Sequence, residues 1–172
     1  MTKRITLPLQ NAAELQAGEE VFLCGELFGA RDQAHKRMLA LMQSGRELPF
    51  KLAGAVIYYF GPAPTPPGKV IGSAGPTTAG RMDAFTPALL DAGLKGMIGK
   101  GNRSAHVVEA MRRNAAVYFY ASGGCGALYA QCIKQAEPIA FADLGPEAVF
   151  RLVVEDFPVI VAIDSQGRSV FV

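Results

Sequence analysis

Lys69-Val70-Ile71-Gly72-Ser73-Ala74-Gly75-Pro76-Thr77-Thr78-Ala79-Gly80-Arg81-Met82-Asp83 is the stretch on which the fold reading turns. Lys69 to Ser73 has the makings of a short strand. Gly75-Pro76-Thr77-Thr78 has the residues of a tight turn, and Ala79 to Ala92 carries apolar residues at helical spacing, with Gly93 as its stop. This strand-to-helix junction is repeated on both sides. Upstream, Glu20 to Phe28 reads as a mostly buried strand, and Ala30 to Met42 switches to helical spacing through Ala34, Met38, Leu39 and Met42. Downstream, Leu94 to Ile98 is a strand, Ser104 to Arg113 a helix, and Ala116 to Ala121 a strand followed by the Gly-rich turn Ser122-Gly123-Gly124-Cys125-Gly126.

Between these junctions, Ala53 to Phe60 adds a strand rich in β-branched and aromatic residues, ended by the Pro-rich loop from Gly61 to Gly68. After a further short helix, strands are predicted at Pro138 to Ala142, Val159 to Ile163 and Ser169 to Val172. The last two are joined by a hairpin signal, Asp164-Ser165-Gln166-Gly167. Alternating strands and helices in the middle, with strand pairs at both ends, predict an α/β domain whose mixed sheet is partly parallel.

With 172 residues, half of them hydrophobic, the chain is expected to be a single domain, residues 1–172, able to bury a core without staples. A net charge of +2 and the lack of any Lys/Arg run argue against nucleic acid as a partner. Three scattered cysteines, Cys24, Cys125 and Cys132, suit a reducing compartment, so the cytoplasm is expected. The start lacks a signal-peptide core and no apolar run reaches membrane-spanning length, so no membrane partner is expected.

Four constellations carry chemistry. Arg31, Asp32 and His35 open a helix after Gly29-Ala30, where unpaired N–H groups and Arg31 suit a carboxylate or phosphate; the same residues also describe a solvated first turn in which Asp32 caps. Thr77 and Thr78 sit at a helix mouth with Arg81 about one turn on, where guanidinium and hydroxyl could share an anion. Gly99-Lys100-Gly101 places a lysine between strand and helix, without the residues of a nucleotide-binding loop. Cys125, among glycines, reads better as close packing than as a nucleophile. No cysteine or histidine pair has ligand spacing, so no metal is expected in this chain.

Ala30-Arg31-Asp32-Gln33-Ala34-His35-Lys36-Arg37, Gly75 to Asp83 and Gly99-Lys100-Gly101, in that order, resemble the β subunit of L-tartrate dehydratase and the C-terminal domain of iron-sulfur (class I) fumarases. The resemblance extends from Leu15–Val21 to Phe157–Gly167. It implies a swivelling β/β/α domain that closes over a 4Fe-4S cluster held by a partner α subunit, with no cofactor in this chain and a hetero-oligomeric assembly. In that family the cluster binds a substrate carboxylate and hydroxyl. Carried over by motif, Arg31, Arg81 and Lys100, with Thr78, would bind a four-carbon dicarboxylate. Thr77 would take the proton from carbon, and His35 matches a histidine given a catalytic role. The implied activity is a hydro-lyase on fumarate and malate, preferred here, or on tartrate, active only with the α subunit. The alternative is a non-catalytic dicarboxylate-binding or regulatory domain of the same fold. Gly29, where the family often has Thr, is a departure.

Overall fold

The computed structural model describes residues 2–172. Its elements are β1 (Lys3–Thr6), β2 (Glu20–Gly29), α1 (Asp32–Gln43), β3 (Val56–Tyr58), β4 (Phe60–Pro62), β5 (Ala74–Pro76), α2 (Thr86–Asp91), β6 (Gly96–Gly99), α3 (Ala105–Asn114), β7 (Val117–Tyr120), α4 (Gly126–Cys132), β8 (Ile133–Ala140) and β9 (Val149–Ile163). The architecture is mixed α/β, as the alternation predicts.

Successive strand residues point to opposite faces, and the apolar residues divide accordingly. Val56, Tyr58, Ile98, Val117 and Phe119 join Leu23, Leu27, Leu152, Phe157 and Val161 in one buried cluster. Ile57, Tyr59, Met97 and Tyr118 pack in a second cluster with Ala34 and Met38 of α1, Leu89 and Leu90 of α2, and Val107 and Met111 of α3. The sheet runs β1-β2-β3-β6-β7-β9-β8, and β2 also pairs with β9. That extra pairing closes a ring of β2, β3, β6, β7 and β9. The first cluster fills the ring, and the second lies between it and the helices. The pairs β1/β2, β2/β3, β3/β6 and β6/β7 are parallel, while β9 runs antiparallel to β2, β7 and β8. The parallel strands therefore deliver their C-terminal ends to one rim.

Several expectations are corrected. Lys69 to Ser73 is not a strand: the strand is β5, which starts directly after it at Ala74 and pairs with β4, antiparallel. Gly72 packs too closely on the Ala63 and Pro64 carbonyls for any side chain, which pins this segment to the Pro-rich loop instead. The helix expected over Ala79 to Ala92 breaks into a 3-10 turn, Ala79–Met82, and α2, whose first turn contains Pro87. Proline lacks the N–H that would bond Asp83 and clashes with that carbonyl, so the helix starts anew. The strand over Pro138 to Ala142 begins earlier, at Ile133. The expected terminal hairpin reduces to one bridge, Ile163 to Ser169, at the end of a 15-residue β9.

A methyl group on Gly29 would overlap the Phe60 ring, and Phe60 is held by stacking on Tyr58 (5.3 Å) and edge-on against Phe150 (5.7 Å). The threonine that the resemblance places at this position would not fit beside this phenylalanine. We expect Gly29→Ala to cost about 1–3 kcal/mol by overpacking, read from urea unfolding. An unchanged midpoint would mean that Phe60 moves aside freely.

Candidate active site

Arg31 and Lys100 follow the parallel strands β2 and β6, and Thr77, Thr78 and Arg81 follow β5, whose end is tied to the same rim through Tyr59 and Lys100. Arg31 follows β2 and is the N-cap residue of α1, without a side-chain cap bond. Asp32, which the sequence offers as a cap, instead stands in the first turn with Oδ2 3.4 Å from Arg81 Nε. That contact puts Arg81 on the same side as Arg31. A methyl on Gly61 would lie 2.8 Å from Arg31 Nη1 and 3.6 Å from Thr77 Cγ2, so the guanidinium and Thr77 flank one glycine. Gly61 thus keeps the space between them open.

Thr77 is pinned through its backbone: its N–H donates to Tyr59 O at 2.8 Å and its carbonyl accepts from Lys100 N at 3.2 Å. Its hydroxyl is buried and has no hydrogen-bond partner. Thr78 is exposed, bridges to Lys100 in parallel fashion, and makes no side-chain cap bond. The long helix expected to begin here is only the 3-10 turn, so Thr77 and Thr78 have no extended helix dipole beside them. Lys100 extends over the Gly-rich turn, where a methyl on Gly123 would lie 3.6 Å from Nζ. Gly126, in the same turn, packs on Gly75 and Ser73 too tightly for a side chain. That is the packing role expected for this turn; the thiol of Cys125 is half-buried.

The cations are loosely paired. Arg31 Nε lies 3.3 Å from Glu147 Oε1 yet makes no hydrogen bond. The side chains of Arg31 and Arg81 are 27% and 51% exposed, so the site opens to solvent. Ion pairs this exposed are worth about 0–1 kcal/mol, so a ligand carboxylate can replace them at little cost. Three cations and a free hydroxyl on one rim suit a small dianion.

His35 lies beneath this ledge, not on it. It is fully buried, edge-on to Tyr59 (5.4 Å) and tilted against Phe85 (6.0 Å). Its Nδ1 is 2.8 Å from Arg31 O. A carbonyl only accepts, so Nδ1 carries the proton and Nε2, which has no partner, presents a lone pair. Burial, with the nearby Arg103 charge, lowers the imidazole pKa from 6.5 to about 4 despite the bond to Arg31. His35 therefore holds the backbone of Arg31 from within the core.

Sequence reading missed Glu147, for which no local signal exists, and a buried pair, Asp83 and Arg103. Asp83 closes the Gly75 to Asp83 motif, and Arg103 stands two residues past Gly99-Lys100-Gly101. Among the described residues no group of three His, Cys, Asp or Glu side chains could hold a metal, and no helix is long and apolar enough to cross a membrane. Cys24 and Cys132 both lie against Asp156, whereas Cys125 is at the opposite end of α4 from Cys132.

A family model described as "Fumarase C-terminus" matches residues 2–172. The chain is 40% identical over 164 residues to fumarate hydratase 2 of Leishmania major, covering 94% of this chain and 29% of that protein. It is 39% identical over 165 residues to the anaerobic class I fumarate hydratase of Escherichia coli (strain K12), covering 95% of this chain and 30% of that protein. A Methanocaldococcus jannaschii protein named L(+)-tartrate dehydratase subunit beta is 35% identical over 171 residues, with 96% of this chain and 88% of that protein covered. The chain thus spans about 30% of the fumarate hydratases' length and most of the subunit's.

The lowered pKa of His35 has a consequence for stability. Unfolded, the imidazole titrates near 6.5; folded, near 4. Between these values the unfolded chain binds a proton that the folded chain does not, so stability is full above about pH 6.5 and falls as pH drops toward 4. The loss attributable to His35 should be on the order of 2–3 kcal/mol. Urea unfolding of wild type and His35→Gln across pH 7.5 to 4.5 checks this: the wild type should lose more. Equal losses would contradict the assignment.

Proposed function

The chain belongs to the fumarase C-terminus family, and from that membership we propose that it is the β subunit of a hydro-lyase that adds or removes water on a four-carbon dicarboxylate. Fumarate and malate are the preferred pair, with tartrate the other candidate. The swivelling mode of the family resemblance, in which this chain closes over a partner, belongs to the same proposal.

The observation that carries the reading is Thr77: both its backbone polar groups are spent, its hydroxyl is buried and unpartnered, and its methyl lies across Gly61 from the Arg31 guanidinium. A threonine hydroxyl is far too weak an acid to give up its proton readily. A neighbouring cation that is not tightly paired favours the deprotonated form, which is what a base acting at carbon requires. Arg31 supplies that charge and, with Arg81, Lys100 and Thr78, holds the two carboxylates of the substrate. His35 has its part through Arg31, whose carbonyl it binds, and thus serves to position the clamp. The rim is open because a partner is proposed to cover it.

That partner is an α subunit carrying a 4Fe-4S cluster. The cysteines of this chain do not fit such a group, since Cys24 and Cys132 lie on Asp156 and Cys125 sits in the Gly-rich turn. The assembly would work in the cytoplasm. A dicarboxylate-binding domain without activity would use the same cations, but would give Thr77 no reason to keep its hydroxyl free.

Three outcomes are expected. Anaerobic iron and sulfide reconstitution of this chain alone should leave no stoichiometric cluster by metal analysis; a cluster here would overturn the division between subunits. With the α subunit present and cluster content matched, Thr77→Ala should lower kcat by roughly a hundred to ten thousand times. Arg81→Ala should chiefly raise KM. Near-normal turnover by Thr77→Ala would remove Thr77 from the chemistry.

A further inference from the structure

The side chain of Arg103, in the loop between β6 and α3, has no exposed surface. Its Nε donates to Asp83 Oδ1 at 2.7 Å, and the other oxygen of Asp83 accepts the Ser104 N–H at 2.8 Å. One carboxylate, two residues past Arg81, thus holds the N–H of Ser104, the residue that precedes α3, and pairs with the arginine just past Lys100. Nη2 donates to Thr86 Oγ1 at 3.0 Å and Tyr59 OH at 3.3 Å, and Thr86 in turn donates to Met82 O at 2.8 Å. The guanidinium centre lies 5.2 Å from the Tyr59 ring and 4.9 Å from the Tyr118 ring. Tyr118 OH donates to Gly101 O at 2.8 Å, beside Lys100. Tyr59 meets the ring of His35, which holds the Arg31 carbonyl.

All three ligand-bearing junctions therefore converge on one buried cation. Such a pair is a weak source of stability, because desolvating both ions offsets most of their attraction, and Arg103 Nη1 is left without a partner. What a guanidinium supplies is direction: a planar fork holds several acceptors at fixed angles and stacks between rings, which an ammonium cannot do. Resting on the hydro-lyase reading, we propose that Arg103 is a positioning residue that sets the mutual placement of Arg31, Thr77, Arg81 and Lys100.

Arg103→Lys keeps the charge opposite Asp83 and removes the fork. In the assembled enzyme it should lower kcat/KM by roughly tenfold to a hundredfold, the effect of a small misplacement at the reacting groups, with the urea midpoint little changed. Combined with Thr77→Ala it should cost less than it does in the wild-type background, because the part of the loss that comes from misplacing the hydroxyl is already gone. A purely structural arginine would give the same loss in both backgrounds. Amide NMR spectra of the chain alone provide a readout that needs no activity: Arg103→Lys should shift the amides of residues 31, 77, 81 and 100. Activity within twofold of wild type, full additivity with Thr77→Ala, or shifts confined to 83–86 and 101–104 would each overturn the proposal. An inactive wild-type assembly would sink the hydro-lyase reading instead, and the amide comparison would still decide the role of Arg103.

Discussion

Pairing of β9 with β2 along almost the whole of β2 is the constraint on which everything else depends. Without it the five strands would be an open, twisted sheet whose edge β2 would need other cover. With it, the alternating residues of every strand have a defined inside and outside, and the parallel strands β2, β3 and β6 end on a common rim. Their order in the sheet, β2-β3-β6, brings the ends of β2 and β6 to either side of β3, and the Thr77–Arg81 segment joins them by bonding Tyr59 O just past β3 and Lys100 just past β6. A ligand site at the carboxyl ends of parallel strands follows from that geometry.

The rim and the layer beneath it treat polar groups differently. Below, Asp83, Thr86, Tyr59 and Arg103 bond one another in the dry space between ring and helices, with Arg103 Nη1 and His35 Nε2 the unpartnered atoms there among the described residues. Above, Arg31 and Arg81 face carboxylates at distances too long for good hydrogen bonds, and Thr77 keeps its hydroxyl unspent. Buried polar groups left unsatisfied are costly. Their concentration at one place, above a rigid and well-paired support, is the arrangement expected of a preorganised site.

The alternation of strands and helices was legible in the sequence because each element carries its own apolar period, as Met38 with Ala34 and Val107 with Met111 show. β8 was largely invisible: Lys134-Gln135-Ala136-Glu137 is an edge stretch with hardly any apolar face, and Pro138 suits an edge. The first part of β9 was missed because Glu155, Asp156 and Pro158 interrupt its pattern where the strand bulges, with Asp156 at φ 49°. Arg31, Thr77, Arg81 and Lys100, the residues proposed to bind and act on substrate, stand out through local junction chemistry. The Asp83–Arg103 pair does not, since partner choice across 20 residues is made by the sheet and not by the segment. His35 reads as a site residue in sequence, yet it sits on the face of α1 that carries Ala34 and Met38 and is buried with them.

The most direct test of the account is a crystal structure of this chain assembled with its α subunit and holding malate or tartrate. The account predicts substrate carboxylates hydrogen-bonded to Arg31 and Arg81, and the Thr77 hydroxyl facing the carbon that loses its proton. A substrate bound away from this rim, with Arg31 still on Glu147 and Arg81 still on Asp32, would contradict it.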